Sequence, residues 1–159
     1  MPLFRHTDEK IIQFVKAKKT IDEGKLIFKD FERNSGSNST GKTVRVSLSS
    51  EEIGILNMEV SIHAPLIKDP TKFHAALLVD LVRIRGVDYN PLPERTHGFK
   101  TRIPHGWHQN IEYPNHPKDN RHVALDDLGI VTDLTDFSRK ICRLWNIELP
   151  DNDKQTVML

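Results

Sequence analysis

Ala75-Ala76-Leu77-Leu78-Val79-Asp80-Leu81-Val82-Arg83-Ile84-Arg85 leads into Gly86-Val87-Asp88-Tyr89-Asn90-Pro91 and then, past a polar crossing, into Ile103-Pro104-His105-Gly106-Trp107-His108-Gln109-Asn110-Ile111-Glu112-Tyr113. This stretch decides the fold class. Residues 75 to 85 read as the longest strand candidate, and their apolar start suggests a central position in a sheet. In the second segment, Trp107, Gln109, Ile111 and Tyr113 share one strand face, while His108, Asn110 and Glu112 share the other, because side chains alternate along a strand. Two strands joined by a proline-containing crossing are expected, with Arg, His, Asn and Glu gathered at the join.

The flanking sequence extends the same pattern. Val44, Val46 and Leu48 alternate with Arg45 and Ser47, and Leu56, Met58, Val60 and Ile62 alternate with Asn57, Glu59, Ser61 and His63. Both are the period-two signature of half-buried strands. Lys25 to Phe31 reads as a further strand. Thr7-Asp8-Glu9 opens an amphipathic helix carrying Ile11, Ile12, Phe14, Val15 and Ala17, expected to stop near Gly24. Leu134, Phe137, Ile141, Leu144 and Trp145 fall at helical spacing, with Thr132 or Asp133 as N-cap and Pro150 as terminator. There is no regular βαβ alternation, so a doubly wound parallel sheet is not expected. The expected fold is α+β: a curved, mostly antiparallel sheet of four to six strands, flanked by an N-terminal and a C-terminal helix packed on one face. The chain reads as one domain over residues 1–149, with a mobile tail from 150 to 159.

Composition narrows the function classes. Of 159 residues, 37% are apolar and 28% charged, with a net charge of +1. That is a globular profile with no global pull towards nucleic acid or membrane. The charge is uneven, however. Between positions 83 and 108, five basic residues (Arg83, Arg85, Arg95, Lys100, Arg102) stand against Asp88 and Glu94, a local +3, with His97, His105 and His108 added. The single cysteine, Cys142, excludes an internal disulfide, and no apolar run resembles a signal peptide or a membrane span. An intracellular, cytoplasmic protein is the expectation.

Gly36-Ser37-Asn38-Ser39-Thr40-Gly41-Lys42-Thr43 matches the phosphate-loop pattern GxxxxGK[ST]. That loop works by opening directly into a helix whose amides cradle phosphate. Here Val44 to Leu48 reads as a strand, so a loop joining strands is the better reading. His105 and His108 are three apart, a spacing that sends them to opposite faces of a strand unless Gly106 turns the chain, and no second cluster has metal-ligand spacing.

An acid/base site free of metal and cofactor fits the residue types better. RNA cleavage through the 2′-hydroxyl needs a base, an acid and a cation for the crowded phosphate. His105 or His108 and Glu112 could supply the first two, Arg83 and Arg85 the clamps, and Tyr89, Asn90 and Arg102 substrate contacts. Along one strand face, roughly 13 Å separates the backbones of His108 and Glu112, so an arginine from a neighbouring strand would have to lie between them. The same residues also fit a solvated strand face whose arginines pair across a ladder.

The order Arg83-Ile84-Arg85-Gly86, Asn90-Pro91, then the strand from Ile103 to Tyr113 and the helix closing on Leu144-Trp145-Asn146-Ile147 resembles a group of small bacterial and phage proteins. These are distantly similar to TumE-like toxins of toxin–antitoxin systems. The resemblance covers roughly residues 42–148. Asp88-Tyr89 stands where that group carries His before Asn-Pro, and the two histidines are three apart rather than two. The resemblance implies a ribonuclease-like or RNA-binding protein. The alternative is a non-enzymatic module that binds a protein, such as an antitoxin, an inhibitor or a defence component, through the same strand face and the loop from Pro114 to Asn120.

Overall fold

A computed structural model describes residues 4–30, 41–97, 101–149 and 157–158. The chain runs through α1 (Asp8–Lys16), β1 (Lys19–Ile21), β2 (Leu26–Ile27), β3 (Lys29–Asp30), β4 (Lys42–Ser50) and β5 (Gly54–Ala64). There follow β6 (His74–Val79), β7 (Val82–Asn90), β8 (Arg95–His97), β9 (Thr101–Ile103), β10 (Gly106–Ile111) and β11 (Arg121–Ala124). The last elements are α2 (Leu134–Leu144), β12 (Ile147–Glu148) and β13 (Val157–Met158).

The main sheet has the order β11-β10-β7-β6-β5-β4-β1-β12, with β3 attached to β4. Every neighbouring pair is antiparallel except β1 and β12. The fold is therefore α+β, but the sheet has nine strands rather than four to six. The extra strands are short. Lys19–Ile21, Arg121–Ala124 and Ile147–Glu148 span two to four residues, too few to display a period. The expected strand from Lys25 to Phe31 is β2 and β3 on either side of buried Phe28. Within the tail, Val157–Met158 pairs in parallel with β2; residues 150–156 and 159 lie outside the described residues.

The stretch from 75 to 85 is a hairpin and not one strand. Asp80 and Leu81 carry φ of 51° and 67°, and Val79 pairs with Val82 across them. Two positive φ values in a two-residue loop make a type I′ turn, whose twist matches that of the flanking strands. Further along, Leu77 pairs with Arg85 but Leu78 pairs with Arg83. Ile84 is thus an extra residue, a β-bulge.

Both helices pack on one side of the sheet. Ile11 and Phe14 of α1 and Leu134, Phe137 and Ile141 of α2 join Val44, Val46, Leu48, Met58, Val60, Ile62, Leu77 and Val79 in one core. Thr7 caps α1, its hydroxyl accepting from Lys10 N, and Asp133 caps α2, its carboxylate accepting from Asp136 N at 2.8 Å. α1 stops at Lys16 rather than near Gly24, because Ala17 is extended and the chain turns at once into β1 to bury Ile21. On the opposite face, Arg45, Ser47, Glu59, Ser61, His63, His74, Ala76 and Leu78 keep contact with solvent. No helix among the described residues is long and apolar enough to cross a membrane.

Candidate functional site on the polar sheet face

Strand register places the polar side chains of β7, β10 and β11 side by side. His108 lies opposite Asp88 on one flank and Ala124 on the other; Asn110 lies opposite Gly86 and His122. Asp88, His108, Asn110 and His122 line a cleft of about 380 Å³, to which Arg83 and Glu112 also contribute.

The two imidazoles of His108 and His122 meet edge to face, centroids 5.6 Å apart at 78°. His108 Nδ1 lies 3.2 Å from the Gly106 carbonyl oxygen. A carbonyl only accepts, so Nδ1 carries the proton and the neutral ring keeps its lone pair on Nε2. Arg83 Nη2 donates to Glu112 Oε1 at 2.5 Å; that bond and the nearby charge of Asp88 hold the guanidinium pKa above its ordinary value despite partial burial. Asn110 Nδ2 donates to Asp88 Oδ2 at 2.7 Å, while its Oδ1 lies 2.5 Å from His122 Nδ1.

Gly86 makes this crossing possible. A Cβ there would come within 3.3 Å of Asn110 Nδ2 and 3.4 Å of Arg83 Nη1, so the bare backbone leaves both side chains room to lie over β7. On the next strand, His74 stacks against His63 with centroids 4.8 Å apart. Burial pushes the His74 imidazole pKa down, Asp88 pulls it up and Arg83 adds to the fall. The polar face beyond the cleft is electrostatically continuous with it.

Of the residues expected from sequence, His108, Glu112, Arg83, Tyr89 and Asn90 line the cleft. Their roles differ. Buried Asn90 donates to the Pro104 carbonyl at 3.1 Å and accepts from Leu92 N at 3.1 Å, which makes it a clamp between β7 and the 103–104 segment. Tyr89 packs edge to face on Trp107, 5.3 Å between centroids.

Arg85, His105 and Arg102 do not line the cleft. The Ile84 bulge resets the alternation, so Arg85 pairs with core-facing Leu77 and turns to the helix side. There it is buried, donates to the Ile84 carbonyl at 2.7 Å and stacks 5.6 Å from the Tyr113 ring centroid. Burial lowers its pKa. It lies in the core and does not reach the cleft, where a phosphate clamp is expected. His105 is exposed in the turn before Gly106 (φ 87°), its Nδ1 donating to the Leu92 carbonyl at 2.9 Å. Arg102 is exposed on β9.

Sequence reasoning missed His122 outright and passed over Asp88 and Asn110 as site members. A return strand after the Pro114–Asn120 loop was the available signal: pairing across that loop sets His122 against Asn110. Lys42 and Thr43, which end the phosphate-loop pattern, open β4, and Lys42 Nζ sits 2.5 Å from Asp30 Oδ1. A strand follows them instead of a helix; residues 36–40 lie outside the described residues. Among the described residues, one group of three could converge on a metal ion, Asp8, His116 and Asp119, with ligand atoms within 4.8 Å of one another. None of these lines the cleft.

No protein-family model, no curated protein and no solved structure matches this chain.

Proposed function

We propose that this protein is a toxin-like, RNA-directed enzyme that cleaves phosphodiester bonds through the 2′-hydroxyl, with the chemistry carried by its own side chains. The observation behind this reading is the facing pair of imidazoles, His108 and His122, in one cleft with the Arg83 guanidinium. One imidazole accepts the 2′-hydroxyl proton as that oxygen attacks phosphorus. The other delivers a proton to the departing 5′-oxygen, so a 2′,3′-cyclic phosphate and a 5′-hydroxyl result and the proton count balances. Arg83 offers charge to the crowded phosphate, where electrostatic stabilisation is commonly the largest contribution. Glu112 holds Arg83 in place, and His122 takes the second acid/base role expected of Glu112. The resemblance to TumE-like toxins agrees with an RNA target.

Incubation of the purified chain with RNA, with and without chelator, tests this. Cyclic-phosphate ends should form in both conditions, and His108→Ala and His122→Ala should each lower the rate at least about 100-fold. Induced expression should arrest growth, with His108→Ala relieving it. Intact RNA, or cleavage unchanged in both variants, rejects the enzyme.

Two observations favour the binding-module reading instead. Arg83 is already held by Glu112, while Val123 on the edge strand β11 is 43% exposed and Ile130, later in the chain, is 85% exposed. A stable partner captured through residues 83–113 and the 114–120 loop, without RNA cleavage, would select that reading.

A further inference from the structure

Hydrogen-bond logic in the cleft fixes more than position. Asp88 Oδ2 lies 2.7 Å from Asn110 Nδ2, and an ionised carboxylate has no proton to give. The amide must therefore turn its NH2 towards Asp88. Its carbonyl oxygen then faces His122 Nδ1 at 2.5 Å, and an amide oxygen only accepts. Nδ1 of His122 must carry a proton, in the neutral ring as in the imidazolium. The amide orientation is thus determined by its neighbours and not by a free choice between O and N.

From this we propose that Asp88, Asn110 and His122 form a carboxylate–amide–imidazole relay that makes His122 the proton donor to the leaving oxygen and leaves His108 to take the 2′-hydroxyl proton. The role assignment rests on the cleavage reading above; the relay itself does not. Asn110 and Asp88 are positioning residues, since both act through His122. Two features separate the imidazoles. His122 donates into a chain that ends on a full negative charge, which favours its protonated form. His108 donates to the Gly106 carbonyl, a neutral dipole, and its Nε2 makes no hydrogen bond among the described residues. The charged groups lining the same cleft are Asp88 on β7, Arg83 beside it and Glu112 after β10. Arg83 and Glu112 are paired with each other, so Asp88, whose charge also acts on His74 of β6, is the cleft carboxylate linked to His122, through the Asn110 amide. Gly86 belongs to the device, because any side chain there would press on the Asn110 amide.

The experiment is long-range 1H–15N NMR of the histidine rings in the full chain, titrated with pH, beside pH–rate profiles on an RNA substrate. In the unaltered protein, neutral His122 should show the Nδ1–H pattern. Asp88→Asn keeps an oxygen to accept from Asn110 but removes the charge. It should keep the tautomer while lowering the His122 pKa by roughly 0.5 to 1 unit. Asn110→Ala removes the bridge and should release His122 to the Nε2–H form. The alkaline limb of the rate profile should move down in Asp88→Asn by the same amount as the NMR titration. An Nε2–H ring in the unaltered protein, or an unmoved His122 pKa in Asp88→Asn, overturns the relay. A relay seen by NMR with an unmoved alkaline limb overturns the donor role. Because the spectra require no turnover, loss of the cleavage reading would register separately, as absent activity with the tautomer intact.

Discussion

Leu81 occupies the second corner of the β6–β7 turn with φ 67° and is 66% exposed. A left-handed conformation brings Cβ against the following carbonyl, at a cost of roughly 1–2 kcal/mol for an L-residue with a full side chain. Type I′ turns ordinarily hold glycine or asparagine there. Leu81→Gly therefore removes strain and little burial, while the looser unfolded chain offsets part of the gain. We expect a net stabilisation of roughly 0.5–1 kcal/mol, read as a higher urea midpoint with unchanged slope. A lower midpoint would mean that the Leu81 side chain makes a contact worth more than its strain. The same residue explains why the sequence misleads. With no glycine to mark the turn, Val79-Asp80-Leu81-Val82 looks like the continuation of an apolar strand. A single inserted residue, Ile84, is equally silent in composition, yet it sends Arg83 to the cleft and Arg85 to the core.

One buried cation joins the ends of both helices. Lys19 is wholly buried, and its Nζ donates to the carbonyls of Val15, Ala17 and Trp145 at 2.8, 2.7 and 2.7 Å. Val15 and Ala17 lie at the end of α1, and Trp145 is the C-cap of α2. One ammonium thus answers the negative ends of two helix dipoles. Asn146, in the left-handed region at φ 54°, adds a bond from Nδ2 to the Lys16 carbonyl at 3.0 Å. Lys19 then pairs with Ile147 in the β1–β12 ladder, the one parallel strand pair of the main sheet among the described residues. Lys19→Met would fill much of the space but strand three acceptors, at about 1–3 kcal/mol each before relief of the buried charge. A net loss of about 3 kcal/mol is expected, visible by chemical unfolding; a loss below about 1 kcal/mol would show that water reaches the carbonyls. None of this is legible in Lys16-Ala17-Lys18-Lys19, which reads as the basic last turn of a helix. What sequence conveys well is the long, regular element: β4, β5, the faces of β10, and α2 with its Asp133 cap. Elements of two to four residues make no period. Their partners sit up to 131 positions away, as Leu26 and Val157 do, so local pattern cannot announce them. The cleft was half legible for that reason, since β10 is a long strand and β11 a short one.

The nine-stranded sheet separates two tasks. Its helix-covered face holds the core and its open face the candidate chemistry, so His108→Ala or His122→Ala in the cleft leaves the packing of α1 and α2 untouched. The covered face also carries two buried titratable groups that shape stability at alkaline pH. Burial pushes the Lys19 ammonium down to about 8 from an ordinary 10.5 and the Cys142 thiol up to about 12 from an ordinary 9.0. Between pH 8 and 10.5 the unfolded chain holds the Lys19 proton more firmly than the folded one, so stability rises with pH. Between pH 9 and 12 the folded chain holds the Cys142 proton while the unfolded chain releases it, so stability falls with pH. Each slope is limited to about 1.4 kcal/mol per unit. From these two groups, stability should climb from pH 8 to 9, level off to 10.5 as the slopes cancel, and then decline. Urea midpoints measured from pH 7.5 to 11.5 would trace this shape. Cys142→Ala removes the falling arm, so its midpoint should go on rising up to pH 10.5 even if the whole curve sits lower for the lost sulfur. A decline that begins at pH 8 in both proteins would show that Lys19 keeps its proton, held by its three carbonyls against the cost of burial.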